Sequence, residues 1–349
     1  MTEPQIGRPA AAPVHRHPDA VTHPAAETPP PASASALEAP PAASPSALIE
    51  TAARQARAAA EGAGVAIEQV HEVEQLRELN RVIDAIWHRE GDAVAIEMLR
   101  ALARSGNCIL AARSGTAMVG ATVSFRGLHG GRPCLHSHIT GVVPGAQLRG
   151  AGLALKLHQR AWALANGIDV VTWTFDPLVA RNAHFNLTKL GAEAGEYLVD
   201  FYGPLRDDAN GDDATDRLLA VWRLASRRVA AALSGETPVP RVEALRRQGA
   251  RVVLDMGVDG RPVLAALPPA TERGDAQPER TLARIPADIL ALRTSDRRCA
   301  AAWREALREV MCALFARGLR PLAAVAPGWY VFGPPEAERP GDVEASLPA

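Results

Sequence analysis

From residue 65 onward the chain switches repeatedly between two apolar rhythms, a period of two and a period near 3.6. Residues 66–70 read as a short strand. Residues 73–89 read as a helix whose inner face carries Val73, Leu76, Leu79, Val82, Ile83 and Ile86. A second helix over 93–104 is closed by Ser105-Gly106-Asn107, and strands at 108–112 and 117–125 form a hairpin around the turn residues 113–116. A strand at 135–143 then leads through Pro144 and Gly145 into a helix opening near Gly150. On that helix Leu153, Leu157, Ala161 and Leu164 share one face, which predicts Lys156, Gln159 and Arg160 on the opposite, solvated one. Asn166-Gly167 ends it. Residues 170–175, Val-Val-Thr-Trp-Thr-Phe, are apolar or β-branched nearly throughout, as in a strand buried on both faces. A helix over 182–192 and strands at 195–202 and 218–224 complete an order β-α-α-β-β-β-α-β-α-β-β.

The rest of the chain follows a weaker pattern. Residues 227–333 predict a smaller α/β unit: short strands at 250–255 and 262–267, a turn at Asp259-Gly260, a long helix over 295–317 and a strand pair around 321–332. Its role is left open between substrate covering, subunit contact (a homodimer) and stability. The Pro-, Glu- and Gly-rich residues 268–279 read as a loop. Residues 1–46 hold eleven of the 28 prolines and are otherwise mostly Ala, Ser, Thr and His, a composition that cannot bury a core, so a disordered tail is expected there. A second such tail is expected over 334–349. Residues 47–64 predict an Ala-rich helical linker between the first tail and a domain spanning 65–226.

Composition narrows the class of function. A length of 349 residues exceeds one ordinary core, in keeping with two folded units. Hydrophobic residues make up 47%, and the net charge of −1 offers neither nucleic acid nor an anionic membrane surface an electrostatic reason to bind. The four cysteines include no C-x-x-C pair, and no basic segment followed by an apolar run marks an exported or membrane-spanning chain, so a cytoplasmic protein is expected.

The chemistry concentrates at the strand–loop–helix around Gly150. Glycines at 150 and 152 remove side chains where the first N–H groups of a helix lack partners and the dipole is positive, an arrangement that cradles phosphate; Arg149 adds a charged donor. The spacing fits neither G-x-G-x-x-G nor G-K-[ST]. Gln147-Leu148-Arg149-Gly150-Ala151-Gly152 does fit [RQ]-x-x-G-x-[GA], and so resembles the pyrophosphate loop of the GNAT superfamily of N-acyltransferases. Residues 182–192, N-A-H-F-N-L-T-K-L-G-A, resemble that family's second signature helix. A bacterial GNAT subgroup shares L-H-S-H-x-x-G, W-T-F-D-P-L and N-L-x-K-L-G-A, together with a C-terminal extension containing I-P-A-D and A-W-R, here at 285–288 and 302–304.

The resemblance implies a GNAT fold of the α/β (α+β) class: a mixed, twisted sheet whose two central strands splay to admit a pantetheine arm, with flanking helices. It implies acetyl-CoA or another acyl-CoA as co-substrate and a small-molecule primary amine, an amino acid among the options, as acceptor. Direct attack by the amine requires no metal. The binding residues so implied are Val142 and Val143, whose backbone N–H groups would hold the thioester carbonyl, then Gln147, Leu148, Arg149, Gly150, Ala151 and Gly152, and Asn182 at the next helix, which as an N-cap would also serve structure alone. The family's base stands about eleven positions before the loop's first residue, which here is His136. With Cys134 and His138 it alternates along one strand, so the three share a face. Such an array could be three zinc ligands, but no fourth is evident and none is assigned. Acid–base work suits the imidazoles, with His136 as base and His138 beside it. The family's general-acid tyrosine is replaced by Leu187. That substitution leaves a second class of function open, a non-catalytic acyl-CoA sensor.

Overall fold

An alanine stripe opens the folded part of the chain. In the computed structural model, which describes residues 44–87, 94–145, 150–203, 213–267 and 280–335, helix α1 runs over Pro45–Ala63, capped by the Ser44 hydroxyl accepting from the Ala47 N–H and ended by Gly64 at φ 65°. It starts two residues ahead of the expected linker. Its buried face is Ala52, Ala56, Ala60 and Ala63, whose small side chains let it lie closely on helix α4 (Ala151–Ala165). Of the tails expected over 1–46 and 334–349, residues 1–43 and 336–349 lie outside the described residues, as does the 268–279 loop, while residues 44–46 belong to the cap and first turn of α1.

Between and beyond these helices the order is the one the periodicity predicts. Strand β1 (Ala66–Gln69) is followed by α2 (Val73–Trp87) and α3 (Ile96–Arg104), then β2 (Ile109–Ser114), β3 (Ala117–His129) and β4 (Arg132–Val142). After α4 come β5 (Val170–Phe175), α5 (Ala180–Ala183) continuing into a π-helical turn over His184–Lys189, then β6 (Glu193–Leu198) and β7 (Arg217–Arg223). These strands form one seven-stranded sheet in the order β1-β2-β3-β4-β5-β7-β6. Every neighbouring pair is antiparallel except β4 and β5. This mixed sheet with flanking helices is the GNAT fold that the resemblance implied.

Helix α4 departs from expectation. Its apolar face does not look to the sheet with the polar face outside. Lys156, Gln159 and Arg160 are each 3% exposed or less, and they point into the protein. Gln159 donates to the Ser124 and Ser137 hydroxyls at 2.6 and 2.9 Å, and Arg160 donates to the Leu224 carbonyl and to Gln55 of α1. Because α1 covers α4 with alanines, the helix is enclosed on two sides. Its polar row is satisfied by strand hydroxyls and carbonyls instead of water, as burial requires.

The C-terminal residues build a second sheet. Helices α6 (Arg227–Ser234) and α7 (Val242–Arg247) lead to β8 (Arg251–Met256), β9 (Pro262–Leu264) and β10 (Thr281–Arg284). Helices α8 (Ile289–Ser295) and α9 (Arg297–Ala316), then β11 (Arg320–Val325) and β12 (Trp329–Gly333), complete it in the order β11-β12-β10-β8-β9. The expected long helix over 295–317 is α9, which starts at Arg297 because the Asp296 carboxylate caps it by accepting from the Cys299 N–H; the short α8 ahead of it was not expected. One continuous core unites both sheets. Trp303, Tyr330 and Phe332 pack in the same cluster as Leu187, Leu218 and Trp222, all fully or almost fully buried. Specific bonds cross the junction. The Tyr330 hydroxyl donates to the Pro177 carbonyl at 2.7 Å, and Arg228 donates to the Leu322 carbonyl at 2.6 Å. On the π-helical turn, Thr188 both donates to the Ala324 carbonyl and accepts from the Ala324 N–H, while the His184 ring donates to that same carbonyl.

Candidate active site

The central gap has two local causes at one point. Strands β4 and β5 pair in parallel over Leu135–Val171 and His136–Thr172 only. One residue later β4 bulges against β3: Ser137 pairs with Ser124 and Ile139 with Val123, leaving His138 as the extra residue. The bulge bends β4 away where the parallel ladder stops. The result is a cavity of about 500 Å³. Ser137, His138, Ile139 and Thr140 form one wall and Trp173, Thr174, Phe175 and Asp176 the other. Ile83 and Trp87 of α2, Lys156 of α4, Asn182, Phe185 and Asn186 of the α5–π segment, Tyr202, Arg217, and Leu290 and Arg293 of the C-terminal region close the rest. A π-turn in the wall is the kind of helix irregularity that often occurs at functional sites.

The loop residues Gln147, Leu148 and Arg149 lie outside the described residues. Gly150 is the residue before α4 and has φ 96°, a conformation open to glycine and strained for others. The first intrahelical bond is Ala154 N–H to Gly150 carbonyl. The N–H groups of Ala151, Gly152 and Leu153 are thus the unpaired donors of a helix start. Upstream, Val143 spends its N–H on the Val119 carbonyl at 2.9 Å. Successive N–H groups on a strand point to opposite sides, so Val142's faces the gap. The expectation that both N–H groups serve the cleft is corrected at Val143 for this reason. Gly141 allows the wall to close: a Cβ there would lie 2.6 Å from the Trp87 ring.

Of the two histidines, His138 lines the cavity and His136 stands behind it. The His136 Nδ1 is 3.2 Å from the Thr172 hydroxyl and its ring is 5.1 Å from that of Phe125. The His136 and His138 rings are 6.4 Å apart. Both pKa values are lowered, His136 by burial first and then by the nearby His138 and Lys156, His138 by burial. Each is therefore neutral at pH 7 and able to accept a proton. Cys134 lies on the same face, its sulfur 4.0 Å from the Thr172 hydroxyl, and burial raises its thiol pKa. Among the described residues no group of three or more His, Cys, Asp or Glu is disposed to hold a metal.

Asn182 is exposed on the cavity wall. It is not the cap of its helix, a position held by Val179, because the helix begins at Ala180. Leu187 is buried at 1%. Sequence reasoning missed three features. Lys156 was assigned to solvent, although the run of hydroxyls on the facing strands (Thr122, Ser124, Ser137, Thr140) was a signal that a polar helix face could turn inward. The phenol of Tyr202, 3.1 Å from the Thr174 hydroxyl, opens on the cavity from the segment after β6. Third, Asp176, from W-T-F-D-P-L, meets Arg304, from A-W-R, at 2.8 Å, and Arg293 at 2.6 Å. Burial alone would raise the Asp176 carboxyl, but Arg304 and Arg293 hold it well below the carboxylate range. The same two arginines bind Asp213 at 3.2 and 2.8 Å.

No family model matches the chain, and no curated protein does. Solved structures resemble part of it. A putative GNAT-family acetyltransferase from Desulfovibrio desulfuricans is 16% identical with a TM-score of 0.35, over 46% of this chain and 99% of that one. The putative acetyltransferase yncA from Salmonella typhimurium, solved with acetyl-CoA, is 16% identical with a TM-score of 0.37, over 46% and 94%. An aminoglycoside acetyltransferase from an uncultured soil metagenomic sample, solved with sisomicin, is 18% identical with a TM-score of 0.30, over 32% and 78%. The fold assignment stands on the strand order and the splayed pair described above.

No helix among the described residues is long and apolar enough to cross a membrane.

Proposed function

We propose that the chain is an acyl-CoA-dependent N-acyltransferase acting on a small-molecule primary amine. The observation that carries this reading is the gap between β4 and β5. Beyond it the Val142 N–H points, by alternation with Val143, to the open side of β4, and the glycine-opened start of α4 follows on the same strand–loop–helix. A pyrophosphate on the N–H groups of Ala151, Gly152 and Leu153 would lay its pantetheine arm toward the gap. In this reading the Val142 N–H polarises the thioester carbonyl. Gln147, Leu148 and Arg149 complete the loop in this reading, and Asn182 contacts the arm from the opposite wall. The acceptor amine attacks the carbonyl carbon directly, and His138, which faces the cavity, takes its proton. His136 supports the imidazole pair from behind.

A second reading, a non-catalytic acyl-CoA sensor, is favoured by one observation: Leu187, which offers no proton, is buried where the resemblance places a tyrosine. Two measurements decide. Calorimetric titration with CoA and acetyl-CoA tests binding, and thiol release from acetyl-CoA with a panel of amino acids, polyamines and aminoglycosides tests turnover. Absence of CoA binding overturns both readings, and binding without turnover on any amine leaves the sensor.

A further inference from the structure

A lysine is enclosed in the cavity wall with no carboxylate among its contacts in the described residues. Lys156 is 3% exposed, yet it is one of the residues that line the gap. The ammonium donates to the Ser137 hydroxyl at 2.9 Å and to Gln159 Oε1 at 3.0 Å, and lies 3.9 Å from the centre of the Trp173 ring. All three partners are neutral. They satisfy its N–H groups without cancelling its charge, and a buried cation so placed is costly to keep for structure alone. Ser137 extends the contact, its hydroxyl being 3.2 Å from that of Thr140, which also lines the gap.

The placement also matters. Ser137 and His136 are adjacent on β4, so their side chains leave opposite faces of the sheet. Lys156 bonds Ser137, whereas His138 clusters with His136 and Phe125 on the other face. The cavity reaches both. Two groups able to carry protons therefore stand across one gap, from two sides of the sheet.

We propose that Lys156 is the proton donor to the leaving group of the reaction run in this cavity. The inference rests on the acyl-transfer reading above. The amine lone pair forms the C–N bond, and the C–S bond breaks with its electron pair passing to sulfur. The amine's proton goes to His138, and the Lys156 ammonium gives a proton to the thiolate, becoming a neutral amine that regains its proton from water. Burial pulls the Lys156 pKa down to about 7, so ammonium and amine are both accessible near neutrality, as an acid that must reload requires. Among the described residues, the titratable groups coupled to it by charge are the Cys108 thiol just before β2, kept neutral by burial that pushes it up to about 12, and His136 of β4, through the sheet.

The test uses the full chain, acetyl-CoA and the best amine of the panel. The wild-type kcat profile should fall on its alkaline side with a midpoint near neutrality, far below the range of a free lysine, and this needs no substitution. Lys156→Met, which keeps the stem on Trp173 and removes the proton, should lower kcat by about 10²–10⁴-fold, abolish that limb and leave CoA affinity within about threefold. Lys156→Arg, charged but unable to give up a proton near neutrality, should be similarly slow. A wild-type kcat without that limb, or Lys156→Met or Lys156→Arg turning over within about threefold of wild type, would overturn the proposal while leaving acyl transfer intact. A wild type that neither binds CoA nor releases thiol defeats the acyl-transfer reading itself, and this inference with it.

Discussion

Replacing Arg304 with methionine should destabilise the protein by about 3–5 kcal/mol, the cost of removing one partner from a buried ion pair. The structure sets the terms. The Arg304 side chain is 2% exposed and that of Asp176 9%, so little water can replace the lost contacts. Arg293 remains, but its guanidinium would then be shared between two carboxylates, Asp176 and Asp213. The lower half of the range is favoured by what Arg304 leaves unsatisfied: its Nε and Nη1 are buried without hydrogen-bond partners among the described residues. The pH dependence follows from Asp176. Its folded pKa is depressed, so its contribution is fully present above the unfolded value near ~3.9 and is lost as pH falls through the lower folded value. Without Arg304 the folded pKa rises, and the deficit of the variant should shrink as pH falls below about 4. Urea unfolding of wild type and Arg304→Met across pH 3 to 8 measures both. A difference under about 1 kcal/mol at pH 7, or one that is constant across the acid range, would refute the reasoning. The double variant Arg304→Met/Asp176→Leu should recover part of the loss, since removing both charges is cheaper than stranding one.

Gly150→Val should weaken CoA binding at least tenfold by calorimetry, because φ 96° excludes a β-branched residue and a Cβ would already stand 3.3 Å from that of Ala63. Unchanged affinity in the folded variant removes the phosphate-cradle role of this turn. His138→Ala should lower kcat/KM by roughly 10²–10⁴-fold, and His136→Ala less, because only His138 borders the cavity. The reverse ranking in thiol-release assays would return the base to His136. In wild type, the acid limb of kcat/KM should lie below the ordinary histidine value of ~6.5, since burial lowers both imidazoles.

The element order was legible because it is written in local periodicity, and the Gly150 turn because positive φ selects glycine. The bulge at His138 was not, since it is a relation between β4 and β3 that neither strand records alone. Alternation correctly put Cys134 and His136 on one face, but not the depth at which each ring would sit. Helix α4 misled for a related reason. An apolar face and a polar face predict a surface helix, and here α1, some ninety residues earlier, takes the place of solvent. Lys156 became visible only with that cover in place. Asp176 and Arg304 each stand in a motif quoted from the sequence, yet 128 residues separate them, and nothing local announces that the motifs meet.

The bonds between Thr188, His184 and Ala324 have a consequence for how the chain can be divided. Strand β11 is the outermost strand of its sheet, and an outermost strand offers unpaired N–H and C=O groups to any passing chain. At Ala324 both groups are closed by side chains of the π-helical turn, so the first sheet's helix acts as a hem for the second sheet. A cut near residue 226 would unpick it from both sides. The C-terminal fragment would carry an open border prone to aggregation, and the N-terminal fragment would lose the arginines of α8 and α9 that pair with Asp176. The change of rhythm near residue 227 is a seam in the sequence and a poor place for scissors.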